Sequence, residues 1–135
     1  MIVTERPPNF EQILAAFPDA GGPGVIFSWQ DRIFNPSGRP IPGPLVAHEE
    51  LHGRRHLLVG GSLRWWDMYI ADPEFRYREE LLAHAAEFRA HPRSSNLRGT
   101  LLWSTAARLV APLYNYQPPR TMQQALRDLR RELAR

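Results

Sequence analysis

The feature that most constrains this chain is His48-Glu49-x-x-His52, in which two histidines stand four residues apart with a glutamate beside the first. In a helix such residues lie on one face about one turn from each other, so both imidazoles can reach one metal ion. Imidazole nitrogens bind Zn²⁺ at about 2.0–2.1 Å, and the intervening glutamate can act on a water there without being a ligand. The motif predicts a catalytic zinc site with His48 and His52 as ligands and Glu49 as general base.

The absence of cysteine restricts how a metal can be held. A thiolate site, a disulfide framework and a cysteine nucleophile are all excluded, which leaves histidine and carboxylate ligands. At 135 residues, the chain fits a single domain over residues 1–135 that can bury a core without disulfides. We find neither an export signal nor the roughly 18 apolar residues of a membrane span. We therefore expect a soluble, cytoplasmic protein with no membrane partner.

The charge pattern argues against nucleic acid as a partner. The net charge is +3 and all seventeen basic residues are arginine, but they are spread along the chain and balanced locally by acidic residues. Four of them, at 127, 130, 131 and 135, form a C-terminal cluster that is typical of a solvated helix face. A nucleic-acid binder would instead gather its arginines on one surface.

Hydrophobic periodicity predicts an α+β fold that is mostly helical, with a small β-hairpin near the N-terminus. The hairpin is expected from Val25–Trp29 and Ile33–Phe34, which are rich in β-branched and aromatic residues. Helices are expected over residues 10–17, 45–58, 62–70, 73–90, 97–110 and 121–133. The residues expected to cap helices are Asn9, Ser62, Asp72 and the run Ser94-Ser95-Asn96. In the helix that carries the histidines, apolar packing is expected from Leu45, Val46, Leu51 and Leu58.

A zinc ion held by two histidines needs a third protein ligand. The helix predicted from Pro73 is the best source, and it offers Glu79 and Glu80 in succession. Helix phase is uncertain by about one residue from sequence, so both stay open. The tetrapeptide Glu80-x-x-Ala83 resembles the Glu-x-x-Ala/Ser pattern of gluzincin metallopeptidases. This resemblance implies that Glu80 is the third ligand and that Ala83 lets two helices approach closely.

A wider set of motifs looks like a family of small phage and prophage proteins regarded as zinc peptidases. The resemblance covers roughly residues 25–116 and departs from the family pattern at His84, where tyrosine is expected, and at Arg54-Arg55-His56, where glutamine-rich residues are usual. The motifs are Phe27-x-x-x-x-x-Ile33-Phe-Asn-Pro36, Leu45-x-x-His-Glu-x-x-His52, Trp66-x-x-x-Tyr69-x-x-Asp-Pro-x-Phe-Arg76, Glu80-x-x-Ala83 and Ala111-Pro-Leu-Tyr114.

This family resemblance implies a minimal zincin-like metallopeptidase that acts on a peptide or protein substrate. It also implies a phage or virion protein as a partner, and virion association as an alternative to a free cytoplasmic location. An extended peptide could pair with the edge of the Val25–Trp29 strand. The alternative is a catalytically inactive, phage-derived structural or assembly protein whose zinc site only stabilises the fold.

Other residues near the predicted site have less defined roles. A phenol close to the metal could stabilise an oxyanion, and among Tyr69, Tyr114 and Tyr116 we favour Tyr114. His56 and His84 are expected outside the ligand set. The large aromatic residues expected in the core are Trp65, Trp66, Phe75, Phe88 and Trp103.

Overall fold

The computed structural model describes residues 1–93 and 97–135, and the cap predicted at Ser94-Ser95-Asn96 lies outside them. The α-helices are α1 (Phe10–Ala16), α2 (Gly43–Leu58), α3 (Ser62–Ala71), α4 (Pro73–Ala90), α5 (Arg98–Leu109) and α6 (Met122–Leu133). The strands are β1 (Ile2–Val3), β2 (Phe27–Trp29) and β3 (Arg32–Phe34). Two short 3₁₀ turns span Pro18–Gly21 and Pro112–Tyr114. The predicted α+β, mostly helical class is confirmed. None of the helices in the described ranges is long and apolar enough to cross a membrane.

The three strands form one sheet in the order β1-β3-β2. The predicted hairpin is present as the antiparallel pair β2 and β3, although β2 begins at Phe27 rather than at Val25. Strand β1 was not predicted, and it pairs parallel to β3 through a bond from the Ile33 amide to the Met1 carbonyl at 2.8 Å. Two residues are too short for a periodic signal, so this strand depends on the partner that the hairpin supplies.

Helix α2 buries a polar face. Its buried residues are His48, Glu49, His52, Gly53 and His56, whereas Leu58 is 75% exposed. The prediction that Leu58 would pack inward is therefore wrong, whereas Leu45, Val46 and Leu51 are half-buried. The helix instead turns its histidines toward α4 and the hairpin.

Helix α4 runs between two apolar clusters and packs against α2, α3, α5 and α6. The predicted cap at Asp72 is confirmed, since its carboxylate accepts bonds from the amides of Glu74 and Phe75 at 2.9 and 3.2 Å. The buried cluster toward the sheet contains Phe10, Ile13, Phe17, Ala20, Phe27, Phe34, Trp65, Trp66, Tyr69 and Phe75. The buried cluster toward the C-terminal helices contains Tyr77, Ala85, Ala106, Leu109, Tyr116, Ala125 and Leu129.

Three local predictions differ from the structure. Asn9 occupies the cap position of α1 but makes no capping bond through its side chain. Gly61, with φ of 121°, precedes α3 instead of Ser62, because the left-handed backbone there favours glycine. Trp103 is 57% exposed and does not belong to the core.

Candidate metal centre

The two histidines of the motif and Glu80 converge between α2 and α4. The Nε2 atom of His48 lies 3.3 Å from Glu80 Oε2, and the Nε2 atom of His52 lies 3.2 Å from Glu80 Oε1. Potential ligand atoms of the three side chains all lie within 4.8 Å of one another, and each residue is buried. Two imidazoles and a carboxylate are a common three-ligand set for zinc. This buried group can hold a metal ion.

Neighbouring Glu79 points away from this group. One of its oxygens accepts a bond from the indole of Trp65 and the other from the guanidinium of Arg55, both at 2.6 Å. Glu79 is therefore already paired within the protein, whereas Glu80 Oε2 is buried and accepts no hydrogen bond. An unpaired buried carboxylate oxygen facing two imidazoles fits a cation. The structure thus places Glu80, rather than Glu79, with the two histidines.

Electrostatic coupling in the group is strong. Burial alone would raise the pKa of Glu80, but positive charge on His52 and His48 outweighs it and keeps that pKa well below its ordinary value. Burial also opposes charge on His48, yet Glu80 prevails and raises the pKa of His48 to about 9. A cation would replace these protons, because imidazoles bind metals in their neutral form.

Glu49 lies beside the group without belonging to it. Its Oε1 atom is 3.9 Å from His48 Nε2, and the residue is 8% exposed. Burial raises the pKa of Glu49, against the lowering effect of His48 and His52. A carboxylate whose proton affinity is raised in this way is suited to accepting a proton from water.

Two tyrosines adjoin Glu80. Tyr69 donates to Glu80 Oε1 at 2.7 Å and so helps to orient the carboxylate. The Tyr114 hydroxyl is 3.1 Å from His84 Nε2, and Tyr114 lines the same cavity as Glu49 and Glu80. The structure therefore places Tyr114 at the site.

A second buried group shares His48 with the first. It consists of His48, His84 and Glu87, and His48 Nδ1 is 4.0 Å from Glu87 Oε1. Arg108 donates to the other Glu87 oxygen at 2.7 Å, so this carboxylate already has a cationic partner. Together with His84, that partner lowers the pKa of Glu87 to about 2 although burial acts to raise it. A metal ion here would lie close to a guanidinium, which makes the group with Glu80 the better metal site.

His56 continues the histidine face of α2 but is used by the fold. Its Nδ1 atom accepts a bond from the Gln30 amide at 3.2 Å and lies 2.9 Å from Ser62 Oγ. Burial lowers the pKa of His56 to about 3, so the ring is neutral at physiological pH. It fixes the hairpin and the start of α3 against α2.

The free edge of β2 is also used by the fold. The indole of Trp66 donates to the Ser28 carbonyl at 3.1 Å, and the Gln30 amide is bonded to His56. The Ser28 carbonyl is therefore not free to pair with an extended peptide, and neither is the Gln30 amide, which follows β2. These groups are already satisfied by α2 and α3.

A cavity of about 90 Å³ adjoins the candidate metal site formed by His48, His52 and Glu80. His52, Glu49 and Glu80 line its polar side, and the Ser28 hydroxyl, buried without a hydrogen-bond partner, also lines it. Glu49 therefore borders an open space beside the three potential ligands and is not enclosed by core side chains on that side. Such space is what distinguishes a catalytic metal site from a closed structural one.

Sequence reasoning missed several supporting residues. Tyr69, Arg55 and Trp65 orient the two glutamates, and Arg108 holds Glu87. The only sequence signal for them was the series of ionisable residues on one helix, Glu79, Glu80, His84 and Glu87. Buried ionisable groups need hydrogen-bond partners, so such a series indicates that other polar side chains lie nearby.

No family model, curated protein or solved structure matches this chain.

Proposed function

We propose that this protein is a zinc-dependent hydrolase, and that the bond it cleaves is a peptide bond. The observation that carries the proposal is the buried group His48, His52 and Glu80, which Glu49 adjoins at a cavity. His48 and His52 through Nε2, and Glu80 through its carboxylate, would hold the ion. Zinc in such a site lowers the pKa of water and polarises a carbonyl oxygen.

The residues around the ion carry out the proton transfer and the stabilisation of the oxyanion. Glu49 accepts a proton from water, and the resulting hydroxide adds to the carbonyl carbon of the substrate. The carbon–nitrogen bond then breaks, and the proton on Glu49 passes to the leaving amine, so that one water is consumed for each bond cleaved. The Tyr114 hydroxyl donates a hydrogen bond to the oxyanion that forms during the addition. Tyr69 keeps the Glu80 carboxylate in place throughout.

The cytoplasm is the proposed location, with a peptide or protein as substrate and a phage or virion protein as partner. These proposals derive from the motif resemblance and from the absence of cysteine.

A structural role for the metal is the second candidate. Its support is that His48, His52 and Glu80 are 3–5% exposed and that the Ser28 carbonyl at the edge of β2 is already bonded to Trp66. In this case the protein would be an inactive assembly protein stabilised by zinc. The position of Glu49 at the cavity favours the hydrolase.

The two candidates are separated by Glu49→Gln. The amide keeps the shape of the side chain but cannot accept a proton, so zinc content should equal that of the wild type while hydrolysis falls by roughly 10²–10⁴-fold. The assay is digestion of a mixed peptide library by zinc-loaded protein, with new termini identified by mass spectrometry. The structural alternative is supported if the zinc-loaded wild type produces no new termini or if the variant produces them at the same rate.

A further inference from the structure

The cavity beside the metal centre has two chemically different sides. The residues that give it its apolar character come from α1, the two 3₁₀ turns, β2, α3 and the segments that join them, and they are Ile13, Phe17, Ala20, Val25, Ile26, Phe27, Trp65, Trp66 and Leu113. On the other side, the cavity is lined by the carboxylates of Glu49 and Glu80 and the imidazole of His52. A substrate that places its reacting carbonyl beside Glu49 therefore extends into a mainly apolar space, whose other polar groups are the hydroxyls of Ser28, Tyr69 and Tyr114.

The apolar side excludes charged and strongly polar substrate groups. Ile13, Phe17, Ala20 and Trp66 are each at most 6% exposed, so this wall of the cavity belongs to the buried core. A charged group placed there would lose its hydration without meeting an opposite charge. An aliphatic or aromatic group would instead gain free energy by leaving water.

The size of the cavity then favours aliphatic over aromatic substrate groups. Its volume is about 90 Å³, and this includes the space next to the metal ligands. An apolar cavity of about 150 Å³ is known to hold benzene. The buried rings of Phe17 and Trp66 form part of the wall, and closely packed interiors resist expansion. A phenyl group would require the wall to move, whereas a branched aliphatic group of three or four carbons would not.

We propose that the substrate carries a small branched aliphatic side chain next to the bond that is cleaved, and that this cavity binds it. The inference rests on the proposed hydrolase function and adds the substrate class. The side chain is of the valine or leucine type, and its recognition is set by Ala20 and Leu113, which belong to the two 3₁₀ turns.

Alkyl hydroxamates test this preference without a known substrate, because the hydroxamate group binds zinc while the attached group explores the cavity. Titration calorimetry on zinc-loaded protein would compare acetohydroxamate, 3-methylbutanohydroxamate and phenylacetohydroxamate, which carry methyl, isobutyl and benzyl groups. Each carbon buried should tighten binding by roughly fourfold. The isobutyl compound should therefore bind roughly tenfold or more tightly than the methyl compound, and more tightly than the benzyl compound.

Two substitutions test whether this cavity is the source of the preference for the isobutyl compound. Ala20→Leu fills the cavity and should remove the advantage of isobutyl over methyl, whereas the control Ala15→Leu, at an exposed position of α1, should retain it. Leu113→Ala enlarges the cavity from a half-buried position and should bring the benzyl compound up to the affinity of the isobutyl compound. The two substitutions change cavity volume in opposite directions, so a general loss of stability cannot produce both results.

The outcomes separate this inference from the proposed function. Equal affinity for the methyl and isobutyl compounds, or tighter binding of the benzyl compound by the wild type, overturns the aliphatic preference and leaves the zinc hydrolase standing. Failure of zinc-loaded protein to bind even acetohydroxamate overturns the proposed function and the inference together.

Discussion

Two adjacent glutamates of α4 illustrate how a single residue step decides the chemistry. Glu79 and Glu80 have the same side chain and are both buried, but they face different partners. Glu79 forms an ion pair with Arg55 and accepts a hydrogen bond from Trp65, while Glu80 faces His48 and His52. The phase of a helix about its axis sets this difference, and a sequence pattern defines that phase only to within about one residue.

A matched pair of substitutions follows from this difference. Glu80→Gln should lose the metal, because a neutral amide is a poor ligand for zinc. Glu79→Gln should keep near one equivalent of metal but unfold more easily by about 1.5–3 kcal/mol, since charge-assisted buried bonds are weakened. Elemental analysis and thermal unfolding of both variants measure the two effects. If Glu79→Gln loses the metal and Glu80→Gln retains it, the ligand assignment is reversed.

At the scale of elements, the metal centre depends on how closely α2 approaches the hairpin. A Cβ atom on Gly53 would lie 2.1 Å from the Gln30 carbonyl oxygen, a separation that no side chain tolerates. Glycine next to His52 therefore lets the histidine face of α2 lie directly on β2. The bond from the Gln30 amide to His56 fixes the same contact from the other side.

Gly53→Ala should consequently destabilise the protein by about 3 kcal/mol or more, because the clashing atom belongs to the backbone and cannot rotate away. The control is Gly43→Ala on the same helix, where a Cβ atom would meet nothing within 4 Å. That variant should change the free energy of unfolding by less than about 1 kcal/mol. Denaturant titration measures both, and similar stabilities for the two variants would contradict the close contact.

The elements themselves could mostly be predicted from sequence, and so could the face of α2 that carries His48 and His52, but the exposure of Leu58 on that helix could not. Proline and the Asp72 cap mark the start of α4, and β-branched residues mark the hairpin. For α2, hydrophobic periodicity favoured burial of Leu58, but the helix buries its histidines because they interact with glutamates of α4. A rule that places apolar residues inward fails wherever a helix carries a buried polar site. Strand β1 was missed for a different reason, since two residues form a strand only when a partner edge already exists.

At the scale of the whole molecule, metal binding and folding should be coupled. The ligands come from α2 and α4, which are separated in sequence by α3 and lie at the centre of the helix packing. The unfolded chain cannot hold them together, so an ion that binds only the folded protein stabilises it.

Removal of the metal by a chelator should therefore lower the unfolding temperature. Free zinc at about 100 times its dissociation constant adds about 2.7 kcal/mol, or roughly 10 °C for a domain of this size. His48→Ala should unfold at one temperature with or without zinc, whereas the control His91→Ala, at the end of α4, should keep the shift. Scanning calorimetry provides the comparison, and an equal zinc response from His48→Ala and the wild type would contradict the coupling.

Anomalous diffraction at the zinc absorption edge, from crystals of zinc-loaded protein, tests the central claim most directly. The expected result is one strong peak bonded to Nε2 of His48, Nε2 of His52 and the Glu80 carboxylate, at about 2.0–2.2 Å from each, with Glu49 close by but not bonded. A peak bonded instead to His48 Nδ1, His84 and Glu87, or no peak between α2 and α4, would contradict the assignment of the metal centre.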